Sequence, residues 1–381
     1  MHRPIRRYFW CVLSAAVFVG EPTRAHDILP PLPMRDAEVT ISAQEWPSHP
    51  GPRTIAVQIY YPKKELIHVE EQTGLILTLH NWGGTKGNGS ADPRRLSDRY
   101  NVVAISVDYL QSGVTDATQE PYDFGYLQAL DALRALHFVY VGIQNQGIQF
   151  ARDRIFAVGG SGGGNVALMC NKLAPRTFAC VIDISGMVKL SDDIAFNLPG
   201  GSPLNAGYGR DPSSPKYLSP DAQAIRFIGH PDHLVAMKEL GNSATVVVIH
   251  GEDDPFCPVV ETKALAELMR DIGLSVTTHF IGKSDVDGRL FVDSKHALGD
   301  RSQILFKFVD HLLAPNDGLA RSKVECDFDL CDTGVKYVTQ NGRFVISYEQ
   351  GFPVGRFEPN EKTDRESVGE ETDDRRASHI R

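Results

Sequence analysis

Five residues near the middle of the chain, Gly159-Gly160-Ser161-Gly162-Gly163, place one hydroxyl among four glycines. The strand-like run Arg154 to Val158 leads into them, and Asn165 to Leu173 follows with helical spacing. A strand that turns through glycines into a helix can hold a serine on a tight, strained turn with its hydroxyl exposed. The helix N-terminus behind it favours developing negative charge. Side chains at Gly159 and Gly163 would collide with neighbouring backbone in such a turn. The chemistry open to this serine is attack on a carbonyl carbon, for which it needs an adjacent base.

The base must be held by a carboxylate that fixes its tautomer and steadies the imidazolium. Thr245 to Ile249 reads as a buried strand and runs into His250-Gly251-Glu252-Asp253-Asp254-Pro255-Phe256-Cys257-Pro258. Acids in a Gly/Pro turn at a strand end suit that role, with Asp254 preferred and Asp253 the alternative. His296, in Val292-Asp293-Ser294-Lys295-His296-Ala297-Leu298, precedes the last core helix and can sit on a loop above the sheet. Among 13 histidines the nearest competitor is His250, whose place before the acid suits it to shaping that turn. An oxyanion needs donors. The Gly162 N–H is one, and the Trp82 N–H, from Leu79-His80-Asn81-Trp82-Gly83-Gly84 at the end of an earlier strand, is the other. The Trp82 indole would also line an acyl pocket.

A rival reading starts from the same glycines. Gly162 to Ala167 fits Gly-x-Gly-x-x-Ala, a dinucleotide fingerprint, with Asp183 at the next strand end as the ribose ligand. Against it, the fingerprint usually opens its domain, whereas this segment follows several strands.

The elements that must position these residues alternate. Short apolar runs at Leu75 to Leu79, Val102 to Val107, Arg154 to Val158, Cys180 to Ile184, Thr245 to Ile249 and Val276 to Ile281 read as strands. Tyr126 to Val139, Asn165 to Leu173, Lys263 to Ile272 and Gln303 to Leu313 read as helices. Such alternation implies an α/β fold with a mostly parallel central sheet, helices on both faces and ligands at the carboxyl ends of the strands. Two earlier runs, Val39 to Trp46 and Thr54 to Pro62, would start the sheet antiparallel.

The chain therefore divides into residues 26–52, an extended segment and first strand; 53–315, the catalytic domain; 316–357, an extension with a hairpin turned at Asn341-Gly342; and 358–381, a charged tail expected to be disordered. Residues 185–243, rich in Gly, Pro and Ser with a helix near Pro231 to Glu239, form an insertion after the fourth core strand or a lid. Residues 1–25 have a basic start, a short apolar stretch and small residues before His26, the pattern of a signal peptide cleaved after Ala25. The expected location is secreted or periplasmic, with no stable membrane span. A net charge of −9 without a basic block argues against a nucleic-acid partner. Of six cysteines, Cys11 would leave with the signal. Cys326 and Cys331 are the expected disulfide, and Cys170 with Cys180 a second pair or two small buried residues. No cysteine or histidine spacing suggests a zinc site, and no cofactor or metal is expected.

In this order the segments resemble the α/β-hydrolase superfamily, most of all its dienelactone hydrolase and prolyl-oligopeptidase-like branch, over roughly residues 53 to 313. An oxyanion loop similar to His-Gly-x-Gly-Gly matches His80 to Gly84. A segment similar to His-Gly-x-x-Asp-x-x-Val-Pro matches His250 to Pro258, which implies Asp254 over Asp253, and Ser-x-His matches Ser294-Lys295-His296. Asn81 stands where a glycine is usual and Cys257 where a valine is usual. The resemblance implies an esterase acting on a small-molecule or polymeric ester through Ser161, His296 and Asp254, with Trp82 and Gly162 at the oxyanion. The alternatives are a serine peptidase, a dinucleotide-binding oxidoreductase and a non-catalytic binding protein.

Overall fold

The computed structural model describes residues 29–86, 90–117, 119–316, 318–321, 325–330 and 333–361. The expected signal peptide, Cys331 and nearly all of the expected tail lie outside them. In chain order the elements are β1 (Ala37–Ser42), β2 (Thr54–Tyr60), β3 (Gly74–Leu79), α1 (Pro93–Tyr100), β4 (Val102–Asp108), α2 (Tyr126–Asn145), β5 (Ile155–Gly160), α3 (Gly162–Leu173), β6 (Cys180–Ile184) and α4 (Asp192–Phe196). There follow α5 (Pro220–Ile225), α6 (Pro231–Glu239), β7 (Thr245–Gly251), α7 (Val259–Ile272), β8 (Val276–Ile281), α8 (Arg301–Leu313), β9 (Gly334–Val338), β10 (Gly342–Gln350) and β11 (Phe352–Pro359).

The first eight strands make one sheet in the order β1-β2-β4-β3-β5-β6-β7-β8. β1 and β2 are antiparallel to each other, and β2 is antiparallel to β4. Every pairing from β4 to β8 is parallel. Strands buried on both faces must be apolar throughout, which is why β3 is wholly buried as Gly-Leu-Ile-Leu-Thr-Leu. Alternate residues serve opposite faces. Leu75 and Leu77 pack with α2 and α3, whereas Ile76 packs with Leu96 of α1 and Ile304 and Leu305 of α8.

The same division explains the cysteines. Cys170 lies in the cluster on the α2/α3 face and Cys180 in the cluster on the other, so the second disulfide is not formed. Cys170, Cys180, Cys257 and Cys326 are all free, buried thiols.

Three of the helices, α1, α4 and α5, have no counterpart in the sequence reading. Helix α1 carries few apolar residues, and its start is set instead by the Asp92 side chain, which accepts from the Arg94 and Arg95 N–H groups, and by Pro93 in the first turn. The C-terminal extension is a three-stranded sheet, β11-β10-β9, not a hairpin alone. Its last strand takes in Glu358 and Pro359, opposite Arg343 and Gly342, so ordered structure runs past the expected start of the tail.

That small sheet accounts for α2. A surface helix would show one apolar face, but here the polar stripe Gln128, Asp131, Arg134 is buried as well. Each member has partners from flanking segments. Asp131 accepts from the N–H groups of Gln44 (2.9 Å) and Leu110 (3.0 Å) and pairs with Arg53. Arg134 donates to the carbonyls of Pro353 (3.1 Å) and Ala43 (3.0 Å). The sheet also closes the end of α3: the Tyr348 hydroxyl donates to the Leu173 carbonyl (2.8 Å) and the Tyr337 hydroxyl to that of Lys172. Tyr348→Phe is expected to leave a buried helix-end carbonyl unpaired and lower unfolding free energy by roughly 1–2 kcal/mol, read from urea denaturation; an unchanged midpoint would show that the hydroxyl carries no weight.

Candidate active site

The carboxyl ends of β3, β5 and β7 and the loop after β8 meet at one rim of the sheet. Ser161 sits between β5 and α3 with φ 58° and ψ −125°. A positive φ is strained for a residue with a side chain. Surrounding bonds hold it: the Ser161 N–H donates to the Ile184 carbonyl (2.8 Å), and the Asn165 N–H to the Ser161 carbonyl (3.1 Å). The flanking glycines are required by contact. A Cβ on Gly159 would lie 2.0 Å from the Gly163 carbonyl oxygen, and one on Gly163 would lie 2.1 Å from that of Leu79.

The Trp82 amide nitrogen is 2.8 Å from the point where a Cβ on Gly162 would be. The two expected oxyanion donors therefore belong to backbone segments in close contact. The Trp82 loop is fixed from below by His80. Its ring stacks on Tyr109 at 4.0 Å, and its nitrogens contact the Asn81 carbonyl (2.8 Å) and the Ser112 hydroxyl (2.7 Å). Burial lowers the His80 pKa, against the hydrogen bond to Asn81, which raises it. The positive φ in this loop falls on Gly83 (74°) rather than on Asn81, and the turn closes from the Gly84 N–H to the Asn81 carbonyl (2.9 Å).

Asp254 and His296 are in direct contact, Nδ1 to Oδ2 at 2.7 Å. The other oxygen of Asp254 accepts from the N–H groups of Phe256 (2.8 Å) and Cys257 (3.0 Å). Asp253 has a different part: it accepts from the Ser294 hydroxyl (2.6 Å), and its own N–H donates to the Ser294 carbonyl (2.9 Å), tying the acid turn to the His296 loop. His250 contacts the Cys257 carbonyl (2.8 Å) and lies 3.4 Å from Asp254 Oδ2, as expected of a residue that shapes the turn. Burial pushes the Asp254 carboxyl up, but hydrogen bonds from His250, His296 and the Cys257 amide outweigh it and hold the group well below the usual carboxylate range.

Ser161, His296 and Trp82 open onto one cleft of about 420 Å³, also lined by Thr115, Ala117, Leu204 and Phe256. The Trp82 indole stacks on Tyr122 at 3.9 Å, and Phe256 meets the His296 ring edge-on at 5.2 Å. Pro203, Leu204 and Asn205 come from the insertion. A larger groove of about 630 Å³ between the N-terminal segment and β11 lies away from these groups.

Two features around the cleft escape a sequence reading. One is the cleft wall formed by 115–117 and 203–205, which no motif marks. The other is Asp183. It is fully buried in β6, with Oδ1 about 2.0 Å from where a Cβ on Gly164 would be and 2.1 Å from one on Gly186. No ribose can reach it, which removes the acidic ligand of the dinucleotide reading. Neither oxygen has a hydrogen-bond partner among the described residues, although the Gly186 amide is close enough to favour the charged form. Burial raises its pKa to about 6, against the lowering effects of His250, Gly186 and Arg301.

A family model described as a protein of unknown function, DUF2920, matches residues 204–324. That span is under half the chain and holds the acid turn and the His296 loop. No curated protein matches. Among solved structures, an acylaminoacyl peptidase from Pyrococcus horikoshii aligns at TM-score 0.50 and 12% identity, over 76% of this chain and 43% of its own. A puromycin-hydrolysing peptidase from Mycobacterium tuberculosis aligns at TM-score 0.44 and 14% identity over 70% and 38% of the two chains. For Thermogutta terrifontis esterase 2 the values are 0.40, 12%, 70% and 88%. The chain spans less than half the length of the two peptidases. This is the α/β-hydrolase fold. No helix among the described residues is long and apolar enough to cross a membrane.

The folded pKa of Asp183, about 6, lies above the reference of 3.8, so the folded state binds more protons than the unfolded state between those values. Stability then falls as pH rises through that window. Asp183→Asn should be more stable than wild type near neutral pH, by at most about 3 kcal/mol, and the gain should vanish below the unfolded pKa. Denaturation midpoints measured from acid to neutral pH check this; a difference that stays flat with pH would contradict it.

Proposed function

We propose that this protein is a serine hydrolase that cleaves a carboxylic ester through an acyl-enzyme. The observation that carries the reading is the 2.7 Å contact of His296 Nδ1 with Asp254 Oδ2, opening onto the cleft that Ser161 and Trp82 line. With Nδ1–H directed at the carboxylate, Nε2 is left as the basic nitrogen. It takes the Ser161 proton as Oγ attacks the ester carbonyl. The N–H groups of Trp82 and Gly162 receive the oxyanion. The imidazolium returns its proton to the leaving alkoxide, and water, activated by the same nitrogen, releases the acid and restores Ser161.

The fold similarity to an acylaminoacyl peptidase supports a second reading, in which the same groups cleave an amide. Fold alone does not choose between them. A fluorophosphonate probe should label wild type at Ser161, found by peptide mass spectrometry, and Ser161→Ala should lose labelling and at least about 10³-fold in kcat. Matched ester and amide substrates then separate the readings by kcat/KM. Absence of labelling in folded protein, with no hydrolysis of either series, would exclude both.

Export belongs to the same proposal and is supported by the composition of residues 1–25. Expressed with its own N-terminus in a secreting host, the mature protein should begin at His26 by mass spectrometry. An intact N-terminus on material retained in the cytoplasm would overturn it.

A further inference from the structure

Cys257 belongs to the acid turn, yet the hydrolytic steps give its side chain no task. The thiol is reduced and 1% exposed. What surrounds the thiol is specific. Its Sγ, a carboxylate oxygen of Asp254 and a ring nitrogen of His296 all lie within 4.8 Å of one another. The nitrogen facing Asp254 is Nδ1.

Sulfur, imidazole and carboxylate are the donor set of Zn²⁺ and of the softer Cd²⁺, at bond lengths of about 2.0–2.3 Å for zinc. Donors that already lie this close need only small shifts to surround one ion. Charge balance also favours it. A thiolate and a carboxylate neutralise a divalent cation, so the three ligands and the ion together carry no net charge. The other ionisable groups around the turn are His250, against Asp254, and Asp183, Glu261 and Arg301, which act electrostatically on Cys257 or Asp254. On this ground we infer that Asp254, Cys257 and His296 form a binding site for a thiophilic divalent cation, and that its occupancy switches hydrolysis off.

The step balances without redox change. The Cys257 thiol loses its proton to solvent as sulfur binds the metal. The Nδ1 proton gives way to the metal, and the ring takes a proton at Nε2, so the imidazole stays neutral. One proton is released overall. With Nε2 protonated and Asp254 engaged by the metal, no base remains to accept the Ser161 proton.

The inhibitory half of this inference rests on the serine-hydrolase reading, whereas the binding half does not. The test uses the full mature chain and Cd²⁺ as probe. Binding is read from the ultraviolet thiolate-to-cadmium charge-transfer band, and inhibition from the ratio of ester hydrolysis rates with and without Cd²⁺, so that each variant is its own reference. Wild type should develop the band and lose activity in parallel, and a chelator should reverse both. Cys257→Val and Cys257→Ser should lose the band and the inhibition. The serine variant guards against a packing defect, and both separate this site from the thiols of Cys170, Cys180 and Cys326. His296→Ala should keep a band but weaken Cd²⁺ binding by roughly tenfold or more. Equal inhibition of wild type and the Cys257 variants would overturn the inference, as would a wild-type band without loss of activity or the absence of a band. If no ester is turned over at all, the band and its loss in the variants still decide whether the site exists.

Discussion

Two backbone segments cross at the heart of this molecule with no room for a side chain between them. A Cβ on Gly163 would stand 2.1 Å from the carbonyl oxygen of Leu79 and 2.6 Å from that of His80. This contact presses the first turn of α3 onto the end of β3. It therefore fixes Ser161, at the start of α3, relative to Trp82, just beyond β3. The positive φ of Ser161 is the local cost of the crossing, and a strained conformation persists only when its surroundings over-determine it. Here they do. The Ser161 N–H and carbonyl are both engaged, and β5 is hydrogen-bonded on both sides, to β3 and β6.

A similar close approach joins the other half of the site. A Cβ on Gly251 would lie 2.3 Å from the Lys295 carbonyl oxygen and 2.4 Å from that of Ser294. The acid turn and the histidine loop are thus one packed unit, with Asp253 and Ser294 as its clasp and the Asp254–His296 pair at its edge. Electrostatics divides the two deep carboxylates beneath this rim. Both are buried, so desolvation raises both. Asp254 has hydrogen-bond donors on each oxygen and is pulled down past its ordinary value, whereas Asp183 has no such bonds among the described residues and stays raised. Asp254 is therefore the carboxylate that stays charged beside a histidine well into the acid range.

Much of this was legible in the chain because the relevant constraints are local. Continuous apolar runs mark strands buried on both faces, and β3 and β6 begin and end close to where those runs do. Glycine spacing marks the turn at Ser161, since only the missing side chains permit it. The order serine, acid, histidine places the three groups beyond the carboxyl ends of β5, β7 and β8 once the sheet is parallel. Other features depend on contacts distant in sequence. The polar stripe of α2 looks solvent-facing until β11 and the segment after β1 cover it. Nothing near Asp183 announces that Gly164 and Gly186 will box it in, and the alternation that identified β6 made its last acid look like a ligand residue. The cleft wall from 203–205 is invisible for the same reason: it lines the cleft only because residues 206 and 207 dock on the loop near Ala117 and Tyr122, where the Tyr122 N–H donates to the Ala206 carbonyl (2.8 Å).

The C-terminal sheet makes sense as part of the same mechanical chain. Helix α3 begins just after Ser161 and ends at Leu173, where the hydroxyls of Tyr337 and Tyr348 take up its last carbonyls. Buried Lys172, beside that end, donates to the carbonyls of Ile225 and Phe227 at 2.8 Å each, so the insertion is held to the same helix. Without these partners the ammonium would be a bare buried charge, and burial already drives its pKa well down. One helix thus carries the strained turn at its start and anchors both appended segments at its end. The segment that shapes the cleft is positioned through the element that positions Ser161, which keeps cleft and hydroxyl in register even though the segments that build them are far apart in the chain.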